Sequence, residues 1–104
     1  MSCADLLKEK QPRVAEAFRN LMEATFVEGA LPIRIKELIA MCVGLAVNCP
    51  ECIKGHTMRA IKAGATEQEV MEAIAATLSC LGCPTFPRSE LVFKVLKKEK
   101  KPKK

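Results

Sequence analysis

Two cysteines three residues apart, Cys49 and Cys52, stand at the predicted start of a helix, and the chain's one histidine, His56, follows four residues later. The N–H groups at a helix start carry partial positive charge, which stabilises a thiolate and makes cysteine a nucleophile. Residues four apart lie on one helical face, so the imidazole can act as a base toward Cys52. A thiol beside a base, with a second thiol to resolve it, predicts dithiol–disulfide redox chemistry.

A second pair with the same spacing, Cys80 and Cys83, leaves a metal interpretation open, because four thiolates can hold zinc. Zinc knuckles usually lie in turns, whereas here one pair begins a predicted helix and the other ends one. The gap between the pairs also exceeds the usual zinc-ribbon spacing. Redox chemistry is therefore favoured over a zinc-stabilised binding module. The second pair has two other interpretations, an additional redox relay or small side chains at a helix–helix contact.

The two remaining cysteines carry no predicted chemistry. Cys42 lies between Met41 and Val43 in an apolar helix and is expected to be a buried, inert thiol. Cys3 lies near a chain end that we expect to be mobile. The N-terminal residues do not resemble a signal peptide, and we expect a cytoplasmic protein whose six cysteines are not a structural disulfide framework.

The chain is expected to fold as one all-α domain over residues 1–104. Hydrophobic residues make up 49% of it with four Phe and no Trp or Tyr, which suits helix-on-helix packing. Apolar spacing and stop signals predict helices over 12–27, 31–47, 50–63, 66–82 and 89–96. Asn48 is a candidate N-cap, Thr66 to Glu69 has the form of a capping box, and Pro84 with Pro87 predicts a turn.

The net charge of +5 is concentrated at the C-terminal end, where Lys94 to Lys104 holds seven lysines and one glutamate. Residues 97–104 are expected to form a disordered, solvated tail. No aromatic platform accompanies the lysines, so nucleic-acid binding is not expected. The longest apolar run, residues 38–47, is too short to span a bilayer, so no membrane partner is expected either.

Four segments together resemble the carboxymuconolactone decarboxylase superfamily, and the cysteine pair with its histidine is similar to the alkylhydroperoxidase AhpD-like branch. The segments are Gly29-Ala30-Leu31-Pro32, Lys36-Glu37-Leu38-Ile39, Cys49-Pro50-Glu51-Cys52-Ile53-Lys54-Gly55-His56 and Ala63-Gly64-Ala65-Thr66. The resemblance covers roughly residues 14–82. It implies an AhpD-like helical fold that assembles as a homotrimer or homohexamer, with active sites near the subunit contacts.

The resemblance also implies roles. Cys52 would be the peroxidatic nucleophile that attacks a hydroperoxide and becomes a sulfenic acid, and Cys49 would resolve it as a disulfide. His56 would take the thiol proton, and Glu37, on the preceding helix, would orient or relay to it. A thiol or dithiol donor would restore the pair, and no bound cofactor or metal would be needed.

One residue departs from the peroxidase pattern. Glu51 stands immediately before Cys52, where the peroxidase prototype carries a histidine. A carboxylate there opposes thiolate formation. A disulfide reductase with little peroxidase activity therefore remains an alternative, as does an assembly-forming protein with inert cysteines. Lactone decarboxylation fits poorly because it has no use for a CxxC pair.

Overall fold

A computed structural model describes residues 1–100 as six helices, with no strand in that part of the chain. The helices are α1 (Cys3–Lys10), α2 (Pro12–Thr25), α3 (Ile33–Val47), α4 (Pro50–Lys62), α5 (Glu67–Leu81) and α6 (Thr85–Lys100). The all-α prediction is confirmed. None of these helices is both long and apolar enough to cross a bilayer.

Helix α3 is the centre of the fold, because α4, α5 and α6 all pack against it. Its apolar residues Leu38, Met41 and Leu45 are buried, and they join a core to which the other three helices contribute. The remaining core residues are Ile53, Ala60, Ala65, Val70, Ile74, Val92 and Leu96. Burial of these side chains is what holds the four helices together.

Helices α3 and α5 run parallel and end on the same side of the molecule. Arg34 near the start of α3 pairs with Glu69 near the start of α5, at 3.2 Å between Nε and Oε2. Near the other ends, Ala46 and Cys80 line one groove. The Glu69 carboxylate also accepts the backbone N–H of Thr66, the N-cap of α5. This hydrogen bond is the largest cause of a lowered pKa at Glu69, and the hydrogen bond from Arg34 is the second.

Helices α1 and α2 form an N-terminal arm that packs on itself rather than on the core, and neither helix contains a buried residue. Val14, Phe18 and Leu21 lie on α2, and each is more than half exposed. The radius of gyration is 15.0 Å, whereas a compact chain of this length would have about 13 Å. The arm therefore leaves an apolar surface open to solvent.

An apolar groove of about 680 Å³ runs between α3 and α5. Ile39, Val43 and Cys80 are among the residues that line it. Cys42 also lines it and is only partly buried, so the expected burial of this thiol is found only in part. Its Sγ lies 3.6 Å from the carbonyl oxygen of Ala73 on α5.

The predicted ends of α3, α4 and α5 are confirmed to within two residues, and the Thr66–Glu69 capping box is present. Helix α1 was not predicted. The turn expected at Pro84 and Pro87 is wrong in part, because α6 already begins at Thr85. Pro87 is the third residue of α6, where a backbone N–H would have no partner within the helix.

The lysine-rich C-terminal segment divides in two. Residues 97–100 continue α6, so the expected disorder is wrong for them. The rest of the predicted tail, residues 101–104, lies outside the described residues.

Candidate active site

The turn between α3 and α4 places the first cysteine pair. Asn48 ends α3 in the left-handed conformation, at φ 56° and ψ 53°, which asparagine tolerates better than most residues. Cys49 rather than Asn48 is the N-cap of α4, so the predicted cap is one residue too early. The Sγ of Cys49 accepts the backbone N–H of Cys52 at 3.2 Å. A sulfur atom thus occupies the capping position, facing the positive end of the helix.

Cys49 and Cys52 are joined by a disulfide across the first turn of α4, with their Cα atoms 5.2 Å apart. Both residues are half-buried. The pairing predicted from their spacing is therefore geometrically available in this fold.

Gly44 brings α4 close to α3 at the cysteine pair. A Cβ added to Gly44 would lie 3.1 Å from the Cβ of Cys52 and 3.1 Å from the backbone nitrogen of Ile53. Such contacts are too tight for a larger residue unless α4 moves, and the nearest of them involve backbone. Gly44 is therefore what allows the first turn of α4 to rest directly on α3.

Two turns before Gly44 on α3, the carboxylate of Glu37 meets the imidazole of His56. Its Oε1 lies 2.7 Å from Nδ1, and the Glu37 side chain is only 5% exposed. The structure therefore brings together Glu37, predicted through the family resemblance, and His56, predicted from spacing. On α4, His56 lies one turn beyond Cys52, on the face that carries the thiol.

Two further residues complete the surroundings of His56, and neither was predicted. Phe26, at the end of α2, stacks on the imidazole with ring centroids 5.8 Å apart and planes at 20°. Arg59 reaches Glu37, with its Nε 3.4 Å from Oε2. Its position three residues after His56 was a usable signal, because residues that far apart are neighbours on a helix. Phe26 offered no such signal because its contact crosses between helices.

The second cysteine pair is in a different setting. Cys80 lies at the end of α5, Cys83 lies in the turn before α6, and both are exposed free thiols. Among residues 1–100, no three His, Cys, Asp or Glu side chains are grouped so that they could hold a metal ion. The four-thiolate zinc site considered from the sequence is therefore not formed. Cys3 is an exposed free thiol at the first residue of α1, where a mobile end was expected.

The sequence has relatives that support a family assignment. The model of the carboxymuconolactone decarboxylase family matches residues 12–94. An uncharacterized protein of Cupriavidus necator is 33% identical over 78 residues, which are 75% of this chain and 69% of that protein. "Uncharacterized protein 4 in cox locus" of Paracoccus denitrificans is 44% identical over 61 residues, which are 59% of this chain. The match spans 55% of the Paracoccus protein, a little over half of its length.

Solved structures show the same fold. A carboxymuconolactone decarboxylase family protein from Legionella pneumophila superposes with a TM-score of 0.85 at 28% identity, covering 93% of this chain and 87% of that one. A family protein from Thermotoga maritima, for which an antioxidative role has been suggested, gives a TM-score of 0.81 at 24% identity. That match covers 91% of this chain and 81% of the other. By its sequence matches, this chain belongs to the carboxymuconolactone decarboxylase family.

Proposed function

We propose that this protein is a thiol-dependent redox enzyme of the AhpD-like branch, which reduces hydroperoxides through a dithiol–disulfide cycle of Cys49 and Cys52. One observation carries the proposal. A disulfide across the first turn of α4 lies one helical turn before a His56 that is held by the buried carboxylate of Glu37. Nucleophile, resolving thiol, base and orienting carboxylate are the parts that this chemistry requires.

In the proposed reaction, His56 takes the proton of the Cys52 thiol, and the thiolate attacks the terminal oxygen of the O–O bond. The bond breaks, an alcohol leaves after protonation, and Cys52 becomes a sulfenic acid. The Cys49 thiol then attacks the Cys52 sulfur, water leaves, and the disulfide forms. A thiol or dithiol donor reduces that disulfide and completes the cycle. We place this cycle in the cytoplasm, where such donors keep thiols reduced.

The second candidate function is disulfide reduction, and the cap of α4 favours it. Cys49 Sγ accepts the N–H of Cys52, so a thiolate at Cys49 would be stabilised as the N-cap. In that case Cys49 would attack an external disulfide and Cys52 would resolve the mixed disulfide. Glu51, an acidic residue beside Cys52, also favours this order.

The test is the free-thiol count and intact mass of the reduced protein before and after one equivalent of alkyl hydroperoxide. We expect two thiols to disappear in the wild type and none in Cys52→Ser, whereas Cys49→Ser should trap a sulfenic acid. The same protein is then challenged with a small aromatic disulfide. If the protein consumes the disulfide but does not react with peroxide, it is a disulfide reductase and not a peroxidase. Cysteines that react with neither reagent would contradict the redox proposal.

We further propose that the protein assembles as a homotrimer or homohexamer. The N-terminal arm exposes Val14, Phe18 and Leu21 at helical spacing, and the apolar groove between α3 and α5 is open to solvent. Exposed apolar surface of this kind normally marks a protein interface. Light scattering at micromolar concentration tests this proposal, because a monodisperse monomer would contradict it.

A further inference from the structure

We propose that Arg59 is a positioning residue that holds Glu37 and thereby fixes the proton on the Nδ1 atom of His56. This inference deepens the proposed redox function and rests on it for its catalytic meaning. It concerns a residue that neither the spacing of the motif nor the family resemblance identified.

The first support is the environment of Glu37. A carboxylate that is 5% exposed loses most of its hydration and must be compensated by hydrogen bonds or opposite charge. Its two oxygens have different partners, because Oε1 faces Nδ1 of His56 at 2.7 Å and Oε2 faces Nε of Arg59 at 3.4 Å. Arg59 itself is 49% exposed, so it closes the site from the solvent side.

The second support is the proton arrangement around Nδ1. Nη2 of Arg59 also lies 3.1 Å from Nδ1, but a guanidinium can only donate hydrogen bonds. Glu37 as a carboxylate can only accept them. The two contacts therefore compete: Nδ1 either donates its proton to Glu37 or accepts one from Arg59. The shorter contact to a charged oxygen favours donation to Glu37, which leaves the lone pair on Nε2 for the thiol proton.

The third support is Gly55, immediately before His56. A Cβ at Gly55 would lie 3.3 Å from both terminal nitrogens of Arg59. Glycine thus leaves room for the guanidinium to fold back along α4 toward Glu37. If Arg59 is lost, nothing in these contacts holds Oε2, and the carboxylate is free to rotate toward water. His56 would then exchange between its two neutral tautomers, and the base would face the thiol for only part of the time.

The test compares Arg59→Ala and Arg59→Lys with the matched control Arg34→Ala. Arg34 forms a similar arginine–glutamate pair, but its partner is Glu69 on α5 and not Glu37. Because His56 is the only histidine, its ring ¹⁵N signals can be assigned without ambiguity. They report which ring nitrogen carries the proton.

We expect the wild type and Arg34→Ala to show a protonated Nδ1, and Arg59→Ala to shift toward the Nε2–H tautomer. The rate of peroxide-driven disulfide formation should fall about tenfold in Arg59→Ala and less than twofold in the control, because general-base catalysis depends on the position of the base. Arg59→Lys should lie between them, since it keeps the charge but loses the planar fork.

Unchanged ring signals in Arg59→Ala would overturn the inference, whatever the rate does. Should Arg59→Ala fail to fold, Arg59→Lys and Gly55→Ala decide the question by the same signals, because the first replaces the guanidinium by an ammonium of the same charge and the second crowds the guanidinium. The ring signals need no turnover. If the wild type proves inert to peroxide and disulfide, the proposed function fails while the role of Arg59 is still tested.

Discussion

The chain carries the same CxxC spacing twice, and the two copies differ in almost every other respect. Cys49 and Cys52 begin a helix, are half-buried and are joined in a disulfide, with His56 one turn away. Cys80 and Cys83 lie where a helix ends, are exposed and remain free thiols. In the first pair a backbone N–H of the helix start, that of Cys52, points toward the Cys49 sulfur, whereas the end of α5 presents carbonyl oxygens.

The difference shows that the spacing of two cysteines does not by itself fix their chemical environment. Helix polarity decides whether a nearby thiolate is stabilised or opposed, and the neighbouring base decides whether a proton can be removed. For the second pair, no side-chain hydrogen bond to a base is present within residues 1–100. The comparison can be tested by disabling each pair in turn.

The largest effect is expected from single cysteine substitutions. Cys52→Ser should abolish the loss of two thiols on peroxide treatment, because the proposed nucleophile is absent. Cys83→Ser should react at a rate within about twofold of the wild type. The measurement is a thiol titration over time with both proteins fully reduced. A large loss of reactivity in Cys83→Ser would mean that the second pair takes part in the reaction.

The next effect concerns the glycine under the first pair. Gly44→Ala should lower the free energy of unfolding by about 1–3 kcal/mol through overpacking against Cys52 and Ile53. It should also slow disulfide formation. Helix propensity alone would favour alanine by about 1 kcal/mol, so a net loss of stability must come from the steric contact. Denaturant unfolding measures the change in the free energy of unfolding.

The control for this substitution is Gly29→Ala, where an added Cβ would approach only the Lys36 ammonium, at 3.8 Å. We expect no measurable slowing of disulfide formation there. If Gly44→Ala and Gly29→Ala form the disulfide at the same rate, the close contact at Gly44 does not matter for the reaction. That result would show that α4 can be displaced at the cysteine pair without loss.

A smaller effect is expected on the alkylation rate of Cys80, which should depend on assembly, whereas the first pair should not. Cys80 lines the apolar groove, so its alkylation should be slowed severalfold when a second copy covers that surface. We expect the arm of that second copy to be what covers the groove. Phe18→Glu places a charge on the exposed face of the arm and should therefore restore fast alkylation of Cys80. The reduced first pair should react at the same rate in both proteins. Mass spectrometry of the alkylated peptides measures all of these rates. If Cys80 is alkylated at the same rate in the wild type and in Phe18→Glu, the groove is not the surface that the arm covers.

The smallest effect is expected at Glu51. Its side chain is 88% exposed and its carboxylate lies 3.3 Å from the ammonium of Lys54, so solvent and Lys54 both screen its charge. Glu51→Gln should therefore accelerate thiol alkylation by no more than about threefold. Low-salt buffer should enlarge this effect, and Lys54→Gln should change the rate in the opposite direction. An acceleration well above tenfold would identify Glu51 as the cause of a poorly reactive thiol.

Much of the helical core could be predicted from the sequence, because buried helices carry periodic apolar residues and clear end signals. The capping box at Thr66 is an example, since its two hydrogen bonds are local in sequence. Helix α1 was missed because it buries nothing and so shows no apolar stripe. The start of α6 was misplaced because Pro84 and Pro87 suggest a turn, although proline is tolerated in a first helical turn.

The site was only partly predictable for a related reason. Cys49, Cys52 and His56 share one helix, so their spacing places them together. Glu37 lies on another helix and could be selected only through the family resemblance, since nothing local distinguishes it from other glutamates. Phe26 reaches His56 across helices, which sequence spacing alone does not reveal.

The cap of α4 links two equilibria that are usually separate. The sulfur that accepts the Cys52 N–H also belongs to the proposed redox pair. Any difference in capping strength between the dithiol and disulfide forms therefore changes the stability of the first helical turn. By thermodynamic reciprocity, a change that stabilises that turn more in one redox form than in the other must shift the dithiol–disulfide equilibrium toward that form by the difference in free energy. Hydrogen exchange at the Cys52 amide should consequently serve as a direct reporter of the redox state.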